Sequence, residues 1–335
     1  MGQSRAGAGI LSETIEAGRS GPREPLIRPE RYGFFDELLF AVFVLAVPPF
    51  IASNWSVFRD GDVSWHIAAG RWIIEHRAVP VTDPFSFTMP GTAWVAHEWG
   101  AEVIQAIAYD LAGFAGLAAV VTLGLMALFG ILFWYLRKSA GPVALLVAFA
   151  GAYLVLQPFI MARPHIMAWP VLALWSALLF TYRDKGRAPP LALALIMFVW
   201  SNIHGSYIFG FIVAGAVALD ALIDARFERR AFLQWLVFGI ATLLATFLNA
   251  NGISGLLHPL TISGMETLPA LGEWQPSSPR STPLFYFLLL VVTGALLWKR
   301  PQFRPGELLL LLLTLAMAFT HIRHQSVFVI LAALI

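Results

Sequence analysis

The chain has no cysteine in its 335 residues, which excludes disulfides and thiolate-held metal sites and gives no reading of redox compartment. It is poor in charge: Asp, Glu, Lys and Arg make up 13% of it, where soluble domains run to about a quarter. It carries no large excess of either sign, with a formal net charge of +2, so there is no basic field for nucleic acid. It has no internal repeat of fixed period. What it has in quantity is apolar surface: 58% of residues are hydrophobic and the mean hydropathy is +0.72. Apolar runs of roughly 15 to 22 residues recur along the whole length, the pattern of an all-α, polytopic helical membrane protein.

Residues 1–34 differ from the rest. They are rich in Gly, Ser, Pro and Arg without apolar period and read as a disordered tail. No small-residue cleavage site follows, so the first span serves as its own insertion signal. From there to 335 the chain reads as one transmembrane domain. The expected spans are about 35–55, 114–136, 141–158, 165–182, 189–203, 207–225, 231–249, 284–298 and 306–321. A last stretch, SVFVILAALI, is only about half as long as a bilayer core requires. It is either a half-buried stub or part of something longer.

Nine spans make two sets of connections. One set holds the tail, RKS, YRDKGR, RFERR and KRPQFR, and with them 16 of the 22 Lys and Arg. The positive-inside rule assigns this set, and the N-terminus, to the cytoplasm. The other set holds all eight histidines, together with the polar clusters RDGDVSWH, HEWGAE, ARPH, SNIHGS, LNANG, GEWQP and HIRH. Such one-sided polar chemistry is the main functional signal in the chain.

The first outer loop, 56–113, is long enough to hold structure. DVSWHIAAGRWIIEH reads as an amphipathic helix with Asp62 as N-cap, VPVTDPFSFTMPGTAW as a turn-rich crossing, and HEWGAEVIQAIAYDLAG as a second helix lying along the interface. The outer loop 250–283 is rich in Gly, Pro and Ser and suits a flap. The span after Pro190 reaches Asn202 in about a dozen residues, roughly 18 Å of helix. Asn202 and His204 therefore sit below the outer surface, facing protein or a wet cavity.

Candidate site residues follow from these clusters. Asp60 and Asp62 are either a loop acid and a helix cap or a general base at the cavity mouth, with His66 one turn beyond Asp62 and within reach of it. His97, Glu98 and Glu102 could bind a divalent cation or orient a sugar, although the spacing is not the His-Glu-x-x-His of zinc proteases; Glu102 fits better as part of an interfacial helix anchored by Trp99. Arg163, Arg280 and Arg323, if they converge, suit a phosphate, with His165 beside the first of them. Asn249 either hydrogen-bonds a sugar hydroxyl or closes a helix end.

The order of these motifs, DGDVSWHIAAGRWI, VPVTDPFSFT and WVAHEW followed by RP, NIHGS and NANG, resembles bacterial members of the C-type glycosyltransferase superfamily, multi-span enzymes that use polyprenyl-phosphate-linked sugars. The resemblance covers roughly 35–325. It implies an active site on the periplasmic face of the inner membrane, a lipid-linked sugar donor and an inverting displacement. It also implies Asp62 as catalytic base with Asp60 second, and arginine or histidine on the departing phosphate. Some members use a divalent metal and others do not, which leaves metal open here. The acceptor, whether glycan, lipid or protein, is not indicated. Two other readings stand beside this one: a transporter or flippase of a lipid-linked saccharide, and a non-catalytic or shortened relative. A transporter would carry polar residues through the full membrane depth, whereas the inner halves of these spans are nearly pure Leu, Ala, Val and Phe, with Asp220 and Asp224 near one inner end.

Overall fold

The structure, a computed structural model, describes residues 33–335. The expected tail over 1–34 lies outside the described residues except for its last two. Among the described residues the regular elements are helices, with no strand. In chain order the helices are α1 (Phe34–Ala52), α2 (Asp62–His76), α3 (Trp99–Leu136), α4 (Pro142–Leu156), α5 (His165–Asp184) and α6 (Leu195–Ile203). They continue with α7 (Ile208–Asp224), α8 (Arg229–Phe247), α9 (Gly252–Ser263), α10 (Pro283–Lys299), α11 (Pro305–Thr320) and α12 (Gln325–Leu334). Prolines set several starts: Pro142, Pro283 and Pro305 each stand in a first turn, where the missing N–H costs nothing.

Among the described residues five segments are long and apolar enough to cross a membrane: Trp99–Leu136, Pro142–Phe159, His165–Asp184, Gly205–Asp224 and Arg229–Phe247. Other apolar helices, such as Pro283–Lys299 and Pro305–Thr320, are shorter. The 16 residues of α11 rise about 24 Å, less than the hydrocarbon core of about 30 Å. By length and composition, then, five helices among the described residues qualify where the apolar runs predict nine.

The first outer loop is built much as its pattern suggests. A 3-10 turn at Trp55–Phe58 leads into α2. The crossing is pinned by an isolated antiparallel bridge between Thr82 and Ala93, and the Asp83 carboxylate accepts the N–H groups of Phe85 and Ser86 at 2.8 and 3.0 Å. The second amphipathic segment is the first part of α3. At Ala112 (φ −147°, ψ 17°) and Gly113 (φ 58°, ψ −139°) the helical backbone is broken, so the segment before Gly113 turns away from the span that follows it. The positive φ is one that glycine adopts at little cost.

Helices α1, α2 and α5 pack along α3. Apolar burial does not drive helices together inside lipid, so close backbone approach at small residues does much of the work. Gly70 of α2 is the clearest case. A Cβ there would lie 2.0 Å from the Glu102 carbonyl oxygen, so only glycine lets α2 seat on the first turn of α3. Trp175, Trp200 and Tyr207 are fully buried between the helices. The Trp175 indole donates to the Gly210 carbonyl at 2.9 Å and the Tyr207 hydroxyl to those of Gly255 and Leu256 at 3.0 and 2.9 Å.

The segment 250–283 contains α9 and two 3-10 turns, Leu268–Ala270 and Gly272–Trp274. It is tied to the end of α11 by Ser277 N–H to Phe319 O at 3.0 Å and Ile322 N–H to Gln275 O at 3.1 Å.

About 20 residues along α5 from its histidine-bearing start, a second polar cluster closes the other end of the bundle. Arg183 reaches Asp220 of α7 at 3.0 Å, Glu307 of α11 at 2.8 Å and Asp184 at 2.9 Å. Asp220 also accepts the Gly306 N–H at 2.6 Å. Arg304 pairs with Asp224 and, at 3.7 Å, with Asp184. Arg183 and Asp220 are buried.

Candidate functional site

Residues far apart in the sequence meet at the end of the bundle where α5, α7 and α12 begin. Between them lies a cavity of about 370 Å³. Its polar lining includes His97, Glu98, Arg163, His165, His204, Glu273 and Arg323, and its apolar lining includes Leu172, Ile208, Phe209, Ile212 and Val327.

Arg163 is placed by the backbone around it. The Ala162 N–H donates to Val57 O at 2.9 Å, and the buried Gln105 amide donates to Ala162 O at 3.0 Å. From that anchored turn the guanidinium meets three acids: Asp62, Asp60 at 3.5 Å and Glu273 at 3.1 Å. Arg323 comes from the opposite side, bonds the other oxygen of Glu273 at 3.1 Å, and lies 4.5 Å over the Trp274 ring. Two arginines thus share one carboxylate at the cavity wall, and a phosphate entering there would compete with Glu273 for both forks.

Asp62 departs from its expected local role. It is the first residue of α2 and not the cap; Gly61 precedes the helix, and it is Asp60 that accepts the Asp62 N–H, at 2.9 Å. The Asp62 side chain turns to Arg163. His66 does not pair with Asp62 as the one-turn spacing suggested. Its ring turns to α3 instead, with Nδ1 3.3 Å from Glu102 and Nε2 4.0 Å from Glu98. The seating of α2 at Gly70 brings about both outcomes, because it presses the face bearing His66 against the first turn of α3.

Glu98 stands at the centre of a histidine group. The His204 Nδ1 accepts the Ser206 N–H at 3.0 Å, which leaves the Nε2 proton directed at Glu98, 3.2 Å away. His97 Nε2 lies 3.6 Å from the same carboxylate, and the His97 ring packs on His258 at 4.5 Å. Burial raises the Glu98 carboxyl above its ordinary range and lowers His97 and His258 to about 4. His165 donates from Nε2 to Phe159 O at 2.7 Å, leaving Nδ1 as an acceptor.

Two expected substrate contacts do other work. Asn202 Oδ1 accepts from the Trp99 indole at 2.7 Å and from the Ala250 N–H at 3.3 Å, and its amide donates to Phe198 O at 2.8 Å. It fastens α6 to α3 and to the α8–α9 turn. Asn249 accepts the Asn251 N–H at 2.8 Å and donates to Thr246 O at 2.6 Å and Gly252 O at 3.1 Å, which is the helix-end alternative. Arg280 is exposed and does not line the cavity; only two of the three expected arginines converge. Conversely, Glu273 and Gln105 had no assigned role in the sequence reading, and Trp274, a tryptophan of the outer interface on that reading, lines the cavity. Glu102, taken there for part of an interfacial helix, is 1% exposed and faces His66. An acid beside a tryptophan in a polar loop was the only local sign of Glu273, and its partners lie 110 and 50 residues away.

No family model matches the chain, and no curated protein or solved structure is significantly similar to it.

Proposed function

We propose that the chain is an integral membrane glycosyltransferase that moves a sugar from a polyprenyl-phosphate donor to an acceptor on the periplasmic face of a bacterial inner membrane, with inversion. The observation that carries this reading is the mixed lining of the cavity: Arg163, Arg323, Glu98 and Glu273 together with apolar side chains. A lipid phosphate has the same two characters, and Arg163 and Arg323 would take the phosphate while the apolar side chains receive the first isoprene units. Asp62 is the base. One of its oxygens is engaged by Arg163, which lines the cavity; the other would take the proton of an acceptor hydroxyl, and binding of the donor phosphate to Arg163 would loosen the ion pair as that hydroxyl is deprotonated. Departing phosphate is stabilised by the same arginines. A topology of nine spans with a cytoplasmic N-terminus belongs to this proposal, the shorter apolar helices crossing with the bilayer thinned around them.

The test uses purified protein in liposomes with labelled polyprenyl-phosphate sugars. Wild type should release or transfer the label, and Asp62→Asn should lower the rate by at least about a hundredfold, the range of general-base loss, with unchanged protein in the membrane. Full activity of Asp62→Asn sinks the assignment of the base; equal loss of label in the absence of protein sinks the reading altogether.

A further inference from the structure

The first turn of α3 buries two carboxylates against one imidazole. One ligand atom from each of His66, Glu98 and Glu102 lies within 4.8 Å of the other two. His66 and Glu102 are buried, at 3% and 1% exposure, and Glu98 keeps 13%. Among the described residues no lysine or arginine forms an ion pair with either glutamate; their charged-type neighbours are histidines. The nearby arginines are engaged elsewhere, Arg163 with Asp60, Asp62 and Glu273 and Arg323 with Glu273. One oxygen of Glu102, Oε2, is buried with no hydrogen-bond partner. Two carboxylates in a low-dielectric site can both ionise only beside compensating positive charge, and a single imidazolium at His66 would balance only one of them.

From this arrangement we infer that His66, Glu98 and Glu102 bind a divalent transition-metal ion of the zinc class. The mixed nitrogen and oxygen set fits zinc or manganese better than magnesium or calcium, which favour all-oxygen shells. Zinc ligands stand about 2.1 Å from the ion and so about 3.4 Å from one another, and the three side chains close by roughly an ångström to reach that. His204 is the natural outer partner. Its Nε2 proton is directed at Glu98, so it orients the carboxylate and does not ligate. The ion would lie behind the cavity wall that Glu98 forms, separate from the arginine pair.

The experiment measures metal, not turnover, so it stands or falls independently of the transferase reading. The full chain in detergent is stripped with chelator, loaded with Zn²⁺, desalted and counted by mass spectrometry of the metal. One zinc per chain is expected in wild type. Glu102→Gln and His66→Gln should each weaken zinc binding by more than about tenfold, while His321→Gln, outside the cluster, should keep it. No retained zinc in wild type overturns the inference, as does equal retention in Glu102→Gln and His66→Gln. If those two variants fail to fold, zinc-edge absorption on wild type decides: one imidazole with oxygen ligands supports the site, and two or more imidazoles place the ion elsewhere and overturn it.

Discussion

Asp60 and Asp62 are two residues apart and both meet Arg163 from another loop, Asp60 while also holding the Asp62 N–H. That meeting is tertiary, and it marks the limit of what is legible at the scale of a residue. Histidines and arginines on one set of loops pointed to a shared polar end, and His97, Glu98, Arg163, His165, His204 and Arg323 do line one cavity. The asparagines did not follow, because an amide beside a helix end meets unsatisfied backbone groups before it meets a ligand. Glu273 stood in a noted polar cluster, GEWQP, but its role was not legible, since nothing local distinguishes an acid that bridges two distant arginines. His258 offers a prediction at this scale. Burial, with His97 beside it, holds its pKa at about 4, whereas an unfolded histidine titrates near 6.5. Above pH 6.5 both states are neutral and the stability linked to this group is complete. Between about 6.5 and 4 only the unfolded chain binds the proton, so stability is lost as pH falls. The thermal midpoint of wild type relative to His258→Gln should therefore hold steady above pH 7 and decline from pH 6.5 to 4.5. A flat difference across that range would mean the ring is solvated.

Helices were more legible than their partners. The break near Gly113 was readable because an amphipathic stretch gives way to a uniformly apolar one there, and the backbone turns at that point. What periodicity does not encode is which helix presses on which. Gly70 reads as an ordinary small residue in an amphipathic pattern, and only the packed structure shows that α2 touches the Glu102 backbone through it. Gly70→Ala should push α2 away from α3, at a cost of about 1–3 kcal/mol for overpacking, and should loosen His66 from Glu102. Unfolding in detergent measures the first effect and zinc retention the second. An alanine variant as stable as wild type would show that the two helices slide apart freely.

For the whole molecule, the apolar runs and the separation of charged loops from histidine-bearing ones announced a helical membrane protein with one chemically active end. The cluster at the other end was announced only by Asp220 and Asp224, because the charges of Arg183, Asp184 and Glu307 read as ordinary loop residues until three helices bring them together. Arg183→Ala leaves Asp220 buried without its cation and should cost about 3–5 kcal/mol, read as a lower unfolding midpoint in detergent. A loss below about 1 kcal/mol would show a solvated pair instead.

That lock has a consequence for traffic through the bilayer. A carrier must unfasten each end in turn on every cycle, and here the helices α5, α7 and α11 are riveted at one end by charges shared among all three. On the reading proposed above, a body fastened in this way is a workbench with a single open side: its lipid-borne sugar must already have been turned over to that side by another protein, and the product must leave by the door through which the donor came in.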